Sequence, residues 1–167
     1  MNFALCERNF RTIVLKREVP VAGSRKSELA KLNSSRIDGT GQRILVIDDD
    51  LAIRVLLQAV LSRMKFEVVL AEDGLIGLEK LKQGSFNLVL LDLMMPRMNG
   101  YQFLEQVNER FPNGQRPHLI VFTAAGQRGV EKIPKDSACA SILKPFDLEK
   151  FMDMIVECVD GSHGGAA

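Results

Sequence analysis

The sequence predicts an α/β fold, a parallel sheet covered by helices, and three observations carry that prediction. From Arg43 onward, short apolar and β-branched runs alternate with segments of helical apolar spacing. Polar residues that look misplaced beside those runs stand at their carboxyl ends. The 167 residues suit one domain of roughly 100–150 residues with something appended.

Taken in order, strands are expected at 43–47, 67–71, 87–91, 118–123 and 141–143. Between the first two, Ile53, Leu57, Val60, Leu61 and Met64 recur at helical spacing, and Leu148, Phe151, Met152, Ile155, Val156 and Val159 do so near the end. Gly74 to Lys82, Gly100 to Arg110 and a poorly patterned piece around 129–135 supply the remaining helices. The expected domain therefore covers 42–160, with five strands and five helices. Asp50 and Asp147 precede helical segments and read as N-caps.

Residues 1–41 lack this rhythm. Their glycines, serines and scattered charges read as a linker-like extension, and 161–167, GSHGGAA, as a flexible tail. FRTIVLKREVPV has the composition of an edge strand, which Pro20 argues against. Residues 1–42 hold eight basic and four acidic side chains, net +4, and the remainder 14 basic and 17 acidic, net −3. Arg8, Arg11, Lys16 and Arg17 read either as a solvated run or as a docking patch, and a start codon assigned too early would also produce such an extension.

Overall the formal net charge is +1, with 46% hydrophobic and 26% charged residues, so no charge excess points to nucleic acid or to a membrane surface. No apolar stretch approaches the ~20 residues of a membrane span, and the N-terminus does not read as a secretory signal. Cys6, Cys139 and Cys158 lack metal-ligand or redox spacing and read as free thiols, which places the chain in the cytoplasm. His118 opens a strand and His163 lies in the tail, neither with a metal partner in view, and Met94, Met95 and Met98 read as loop packing.

The segment VIDDD, Val46 to Asp50, crowds three carboxylates behind an apolar strand. Like charges so close cost free energy unless a positive group offsets them. In an open α/β sheet, ligands bind outside the carboxyl ends of the strands. Asp48 and Asp49 follow the first strand, Asp92 the third, Thr123 ends the fourth and Lys144 follows the fifth. One sheet rim thus collects three carboxylates, a hydroxyl and an ammonium. Such a set favours a hard divalent cation, and Mg²⁺ fits because it takes oxygen ligands while keeping waters exchangeable. It also leaves one carboxylate free as a nucleophile toward a phosphoryl group, and Asp92 is best placed for that role. Lys144 would meet phosphoryl oxygens as a point charge, with Thr123 donating to another and Ala124 and Ala125 keeping the approach open.

DDD, DLMMPRMNG, FTAA and LKPF, taken together, resemble the receiver domain of bacterial two-component response regulators across residues 42 to about 160. The resemblance implies a flavodoxin-like (βα)5 doubly wound sheet of order 2-1-3-4-5. It implies phosphorylation at Asp92, Mg²⁺ held by Asp48, Asp49, Asp92 and the Met94 backbone carbonyl, and Thr123, Ala124 and Lys144 around the phosphate. A cis bond before Pro145 is implied as well. The implied partners are a histidine kinase or phosphotransfer protein upstream and a separate downstream protein on the face of the fourth and fifth helices and last strand. No chain remains after Val159 for a DNA-binding domain, so direct contact with nucleic acid is not expected. The family usually carries Tyr or Phe three residues before the lysine, where this chain has Ser141. An inward-turning aromatic switch is therefore in question.

Two other readings compete. A haloacid-dehalogenase-type phosphatase would use the Asp48-x-Asp50 spacing with Asp48 as nucleophile, although no acidic pair follows the lysine. A receiver-like binding module that is never phosphorylated is the other.

Overall fold

The computed structural model describes residues 11–12, 38–111 and 116–159. Five parallel strands form the centre of one sheet: β1 (Arg43–Ile47), β2 (Glu67–Ala71), β3 (Leu88–Leu91), β4 (His118–Thr123) and β5 (Ala140–Leu143). Their order is 2-1-3-4-5, and the two-residue strand Arg11–Thr12 adds a sixth position outside β5. That edge strand runs parallel to β5, Arg11 opposite Ala140 and Thr12 opposite Ser141. The pairing falls eight residues ahead of Pro20, whose missing N–H therefore does not interrupt it. Asp38–Gly41 also belong to the folded unit, because the Gly39 N–H donates to the Met64 carbonyl at 2.8 Å. The remainder of the extension and the tail lie outside the described residues.

Five helices connect the strands: α1 (Leu51–Arg63), α2 (Gly74–Gln83), α3 (Gly100–Arg110), α4 (Gly126–Val130) and α5 (Leu148–Val159). Side-chain alternation along each strand divides the core in two. Ile44, Val46, Leu88, Leu90, Ile120, Phe122 and Ile142 pack with Leu57, Leu61, Phe151 and Ile155 of α1 and α5. On the other face, Leu45, Ile47, Val89, Leu91, Leu119 and Val121 pack with Leu81, Phe103, Leu104, Val107 and Val130 of α2, α3 and α4. Near-continuous apolar strands are what burial on both faces requires, and each such side chain contributes roughly 1.5–3 kcal/mol.

Local chemistry fixes the helix starts. Asp50 accepts from the Ala52 N–H at 2.8 Å, Asp73 from Ile76 at 2.9 Å, and Asn99 and Gln102 form a reciprocal capping box. Asp147 accepts from Lys150 at 3.0 Å ahead of α5. The fourth helix differs from the expectation at 129–135: it occupies Gly126–Val130 and is followed by turns. Gly126, with φ +68°, supplies the left-handed entry that starts it early. Pro134 cannot extend an α-helix and holds the following segment in turns.

Candidate functional site

The strand ends converge as the sheet geometry demands. Asp48 and Asp92 are buried, Asp49 is exposed, and one oxygen from each lies within 4.8 Å of the others. Lys144, carried in just beyond β5, reaches across the rim to donate to Asp48 Oδ2 at 2.6 Å and Asp92 Oδ2 at 2.7 Å. Its ammonium also sits 4.8 Å from the Phe122 ring centroid. Burial works to lower the Lys144 pKa, but the hydrogen bonds to Asp48 and Asp92 outweigh it and leave the group above its ordinary value. For Asp48 burial wins instead: it raises the carboxyl pKa despite the opposing Lys144 and Asp50 hydrogen bonds.

The backbone shapes the rest of the site. The Asp50 N–H donates to Asp48 Oδ1 at 2.8 Å, which fixes that carboxylate's rotamer. The Met94 N–H donates to Asp92 Oδ1 at 3.1 Å, so the loop after β3 turns back on the acid it follows. Gly100 makes the turn possible. A Cβ there would stand 2.7 Å from Leu93 Cα and collide with the Asp92 carbonyl. Thr123 is fully buried, its Oγ accepting from the Ala125 N–H at 3.1 Å. The peptide bond between Lys144 and Pro145 is cis.

Every residue expected at the rim from sequence thus lies on one sheet edge. The Asp50 side chain caps α1, accepting from the Ala52 N–H, and the carboxylates that gather are Asp48, Asp49 and Asp92, not the Asp48-x-Asp50 pair of the phosphatase reading. Some contributors carried no sequence signal. Arg54 donates to the Asp48 carbonyl at 2.6 Å from the first turn of α1. Arg97, at φ +63° in the loop after β3, pairs with the fully buried Asp73 carboxylate and with Glu72 at 2.7 Å. It thereby ties that loop to the start of α2. Ser141 is completely buried on β5, and among the described residues its hydroxyl has no hydrogen-bond partner.

At the opposite end of the sheet Cys139 and Cys158 are free thiols, as expected, but they lie beside His118, a grouping the sequence did not show. His118, Cys139 and Cys158 offer ligand atoms within 4.8 Å of one another. Their sequence separations of 21 and 19 residues belong to no short motif, and the pairing of β4 with β5 and the packing of α5 bring them together.

A doubly wound sheet with an acidic, lysine-bridged rim at the ends of β1, β3 and β5 defines a receiver-type α/β domain. The chain belongs to the response regulator receiver domain family, which it matches over residues 44–156. It is 33% identical over 122 residues to a probable chemotaxis protein CheY of Rhizobium etli, covering 72% of this chain and 93% of that one. The regulator of RpoS from Escherichia coli is 32% identical over 120 residues, 71% of this chain but 35% of that longer protein. Among solved structures, a CheY-like receiver domain protein from Methanospirillum hungatei superposes with TM-score 0.65 at 30% identity, covering 72% of this chain and 94% of that one. The response regulator TrrA of Thermotoga maritima, in complex with Mg²⁺ and BeF, gives TM-score 0.62 at 26% identity over 70% of this chain and 98% of that one.

The rim fits a divalent cation. Three carboxylates face one ammonium, and the two buried acids are shared by a single lysine, so the donor set is rich in oxygen and short of positive charge. Among the described residues, no helix is long and apolar enough to cross a membrane.

Proposed function

We propose that Asp92 accepts a phosphoryl group from the phosphohistidine of a histidine kinase or phosphotransfer protein. The observation that carries the proposal is the Lys144 ammonium shared between Asp48 and Asp92, which marks the point where negative charge is tolerated and where more would be drawn. Asp48, Asp49, Asp92 and the Met94 carbonyl would hold Mg²⁺, which supplies neutralisation of charge on the incoming phosphoryl oxygens.

The chain's own residues do the rest. The Met94 N–H keeps one Asp92 oxygen oriented, leaving a carboxylate oxygen to attack phosphorus. A P–O bond forms as the P–N bond breaks, and the imidazole leaves with its electron pair. The product brings roughly −1.5 to −2 of charge to the rim. Lys144 follows that charge, and the Thr123 hydroxyl, which accepts from the Ala125 N–H, donates its proton to a phosphoryl oxygen. Ala124 and Ala125 beyond Thr123 keep the approach narrow but open. Because phosphoryl transfer needs mainly positioning and charge stabilisation, these parts suffice.

We place the output on the face formed by α4, β5 and α5, read by a separate protein in the cytoplasm. The strand Arg11–Thr12 lies along the β5 edge of that face, so a partner docking there meets the extension. Ser141 leaves no aromatic ring to swing, so the segment from Ala124 to Gly129, the β4–α4 loop with most of α4, carries the change. Its anchor is the Tyr101 hydroxyl, which donates to the Gly129 carbonyl at 2.8 Å. The domain acts as a phosphoacceptor, with at most slow Mg²⁺-dependent loss of its own phosphoryl group.

Acetyl phosphate with and without Mg²⁺, followed by intact-mass measurement, tests the assignment. The wild type gains one phosphoryl group only with Mg²⁺, and Asp92→Asn gains none. Full labelling of Asp92→Asn would refute it, and label mapped to Asp48 would restore the phosphatase reading.

A further inference from the structure

His118, Cys139 and Cys158 form a second cluster, at the end of the sheet away from the acidic rim. His118 begins β4 and Thr123 ends it, which separates the two sites by roughly 16 Å at about 3.3 Å per residue. His118 Nδ1 lies 3.3 Å from Cys139 Sγ. Cys139 immediately precedes β5, and Cys158 is in the last turn of α5. Both cysteines are thiols, and both are buried.

The donor chemistry is soft: one imidazole nitrogen and two sulfurs from three different elements. In a tetrahedral zinc site, with Zn–S about 2.3 Å and Zn–N about 2.0–2.1 Å, neighbouring N and S ligands stand roughly 3.5 Å apart and two sulfurs roughly 3.8 Å apart. The His118–Cys139 separation of 3.3 Å already lies close to that edge. The three atoms lie within 4.8 Å of one another, so closing on an ion needs side-chain adjustment of at most about an ångström. The Cys139 thiol is also disposed to ionise. The Cys158 hydrogen bond, then the contacts with His118 and the Leu119 backbone, hold it well below the ordinary thiol value against the opposing effect of burial. His118 also borders a cavity of about 420 Å³ lined with Phe86, Asn87, Phe111 and Pro117.

We propose that His118, Cys139 and Cys158 bind one zinc ion, with water as the fourth ligand, in a site that links the start of β4 and the entrance of β5 to the end of α5. Binding displaces the thiol protons to solvent, and both sulfurs ligate as thiolates. The site is independent of the phosphoacceptor reading and shares no residue with it.

Cobalt(II) is the probe, added to the reduced, metal-free, full-length chain. The expected result is a thiolate-to-cobalt charge-transfer band in the near ultraviolet and tetrahedral d–d bands in the visible. These should saturate at one equivalent and be abolished by excess Zn²⁺. Asp92→Asn should leave the spectrum unchanged, whereas Cys139→Ser, Cys158→Ser and His118→Ala should each lose the saturable band. In case the substituted chains do not fold, thiol counting in the Cys6→Ser background gives a second measure. There, Zn²⁺ should protect two thiols from a disulfide reagent in the native protein. The absence of a charge-transfer band, two thiols equally reactive with and without Zn²⁺, or recovery of the native chain with a Cys139–Cys158 disulfide would each overturn the proposal.

Discussion

Replacing Lys144 by Ala removes the one ammonium that bridges the Asp48 and Asp92 carboxylates, at 2.6 and 2.7 Å. The two acid side chains are 0% and 5% exposed, so water does little to compensate. Deleting one partner of a buried pair costs about 3–5 kcal/mol. The Lys144 side chain retains 18% exposure, which places the cost near the lower end, about 3 kcal/mol. At roughly 2–4 °C per kcal/mol for a chain of this size, the melting temperature in EDTA should fall by about 6–12 °C. A divalent cation can replace the lost charge, so saturating Mg²⁺ should raise the melting temperature more in Lys144→Ala than in wild type. Lys144→Met, which keeps an unbranched side chain of similar length without the ammonium, should behave like the Ala variant in its Mg²⁺ response. Thermal denaturation followed by circular dichroism, in EDTA and in Mg²⁺, gives all six values. Equal Mg²⁺ increments in wild type and variants, or an unchanged melting temperature in EDTA, would refute the reasoning.

Other perturbations follow from the same geometry. Burial holds the folded Asp48 pKa above its model-compound value of 3.8, so the stability its proton lends is complete below 3.8 and is lost as pH rises past the folded value. In EDTA, Asp48→Asn should therefore gain on wild type as pH climbs toward neutrality, a trend that urea titrations at several pH values would expose or contradict. Gly100→Ala should cost about 1–3 kcal/mol, because its Cβ meets Asp92 and Leu93 backbone. The same variant should slow acetyl-phosphate labelling, and unchanged stability would mean the loop relaxes freely. Arg97→Ala strips the buried Asp73 of its ion pair and should cost about 1–3 kcal/mol, read from urea midpoints. On phosphorylation, hydrogen exchange should change between Thr123 and Gly129 more than around Ser141, and the reverse order would return the switch to β5. Deleting residues 1–41 uncovers the outer edge of β5 and should alter partner capture at that face, measured by pull-down with beryllofluoride.

Much of this was readable from residue order because the strands are buried on both faces. ILVI in β1 and LIVF in β4 are apolar without interruption, which leaves them few alternatives. Asp48, Asp92 and Lys144 were legible for the same reason, since a charged residue ending such a run has only the rim to occupy. The fourth helix was misplaced because its start depends on the conformation of Gly126, while apolar spacing there is weak. Arg97 and Arg54 gave no signal, as a lone arginine in a loop or on a helix does not announce which carbonyl or carboxylate it will meet. The His118, Cys139 and Cys158 cluster was missed outright. Its members come from three elements, and proximity among them depends on strand register and on how α5 packs, neither of which leaves a spacing motif.

Mg²⁺ uptake measured by calorimetry on the reduced full-length chain bears most directly on the acidic rim. The wild type should bind one ion saturably, and the Asp48→Asn, Asp49→Asn double variant should bind none while remaining folded by circular dichroism. No heat of Mg²⁺ binding to the folded wild type, or undiminished binding to the double variant, would contradict the account.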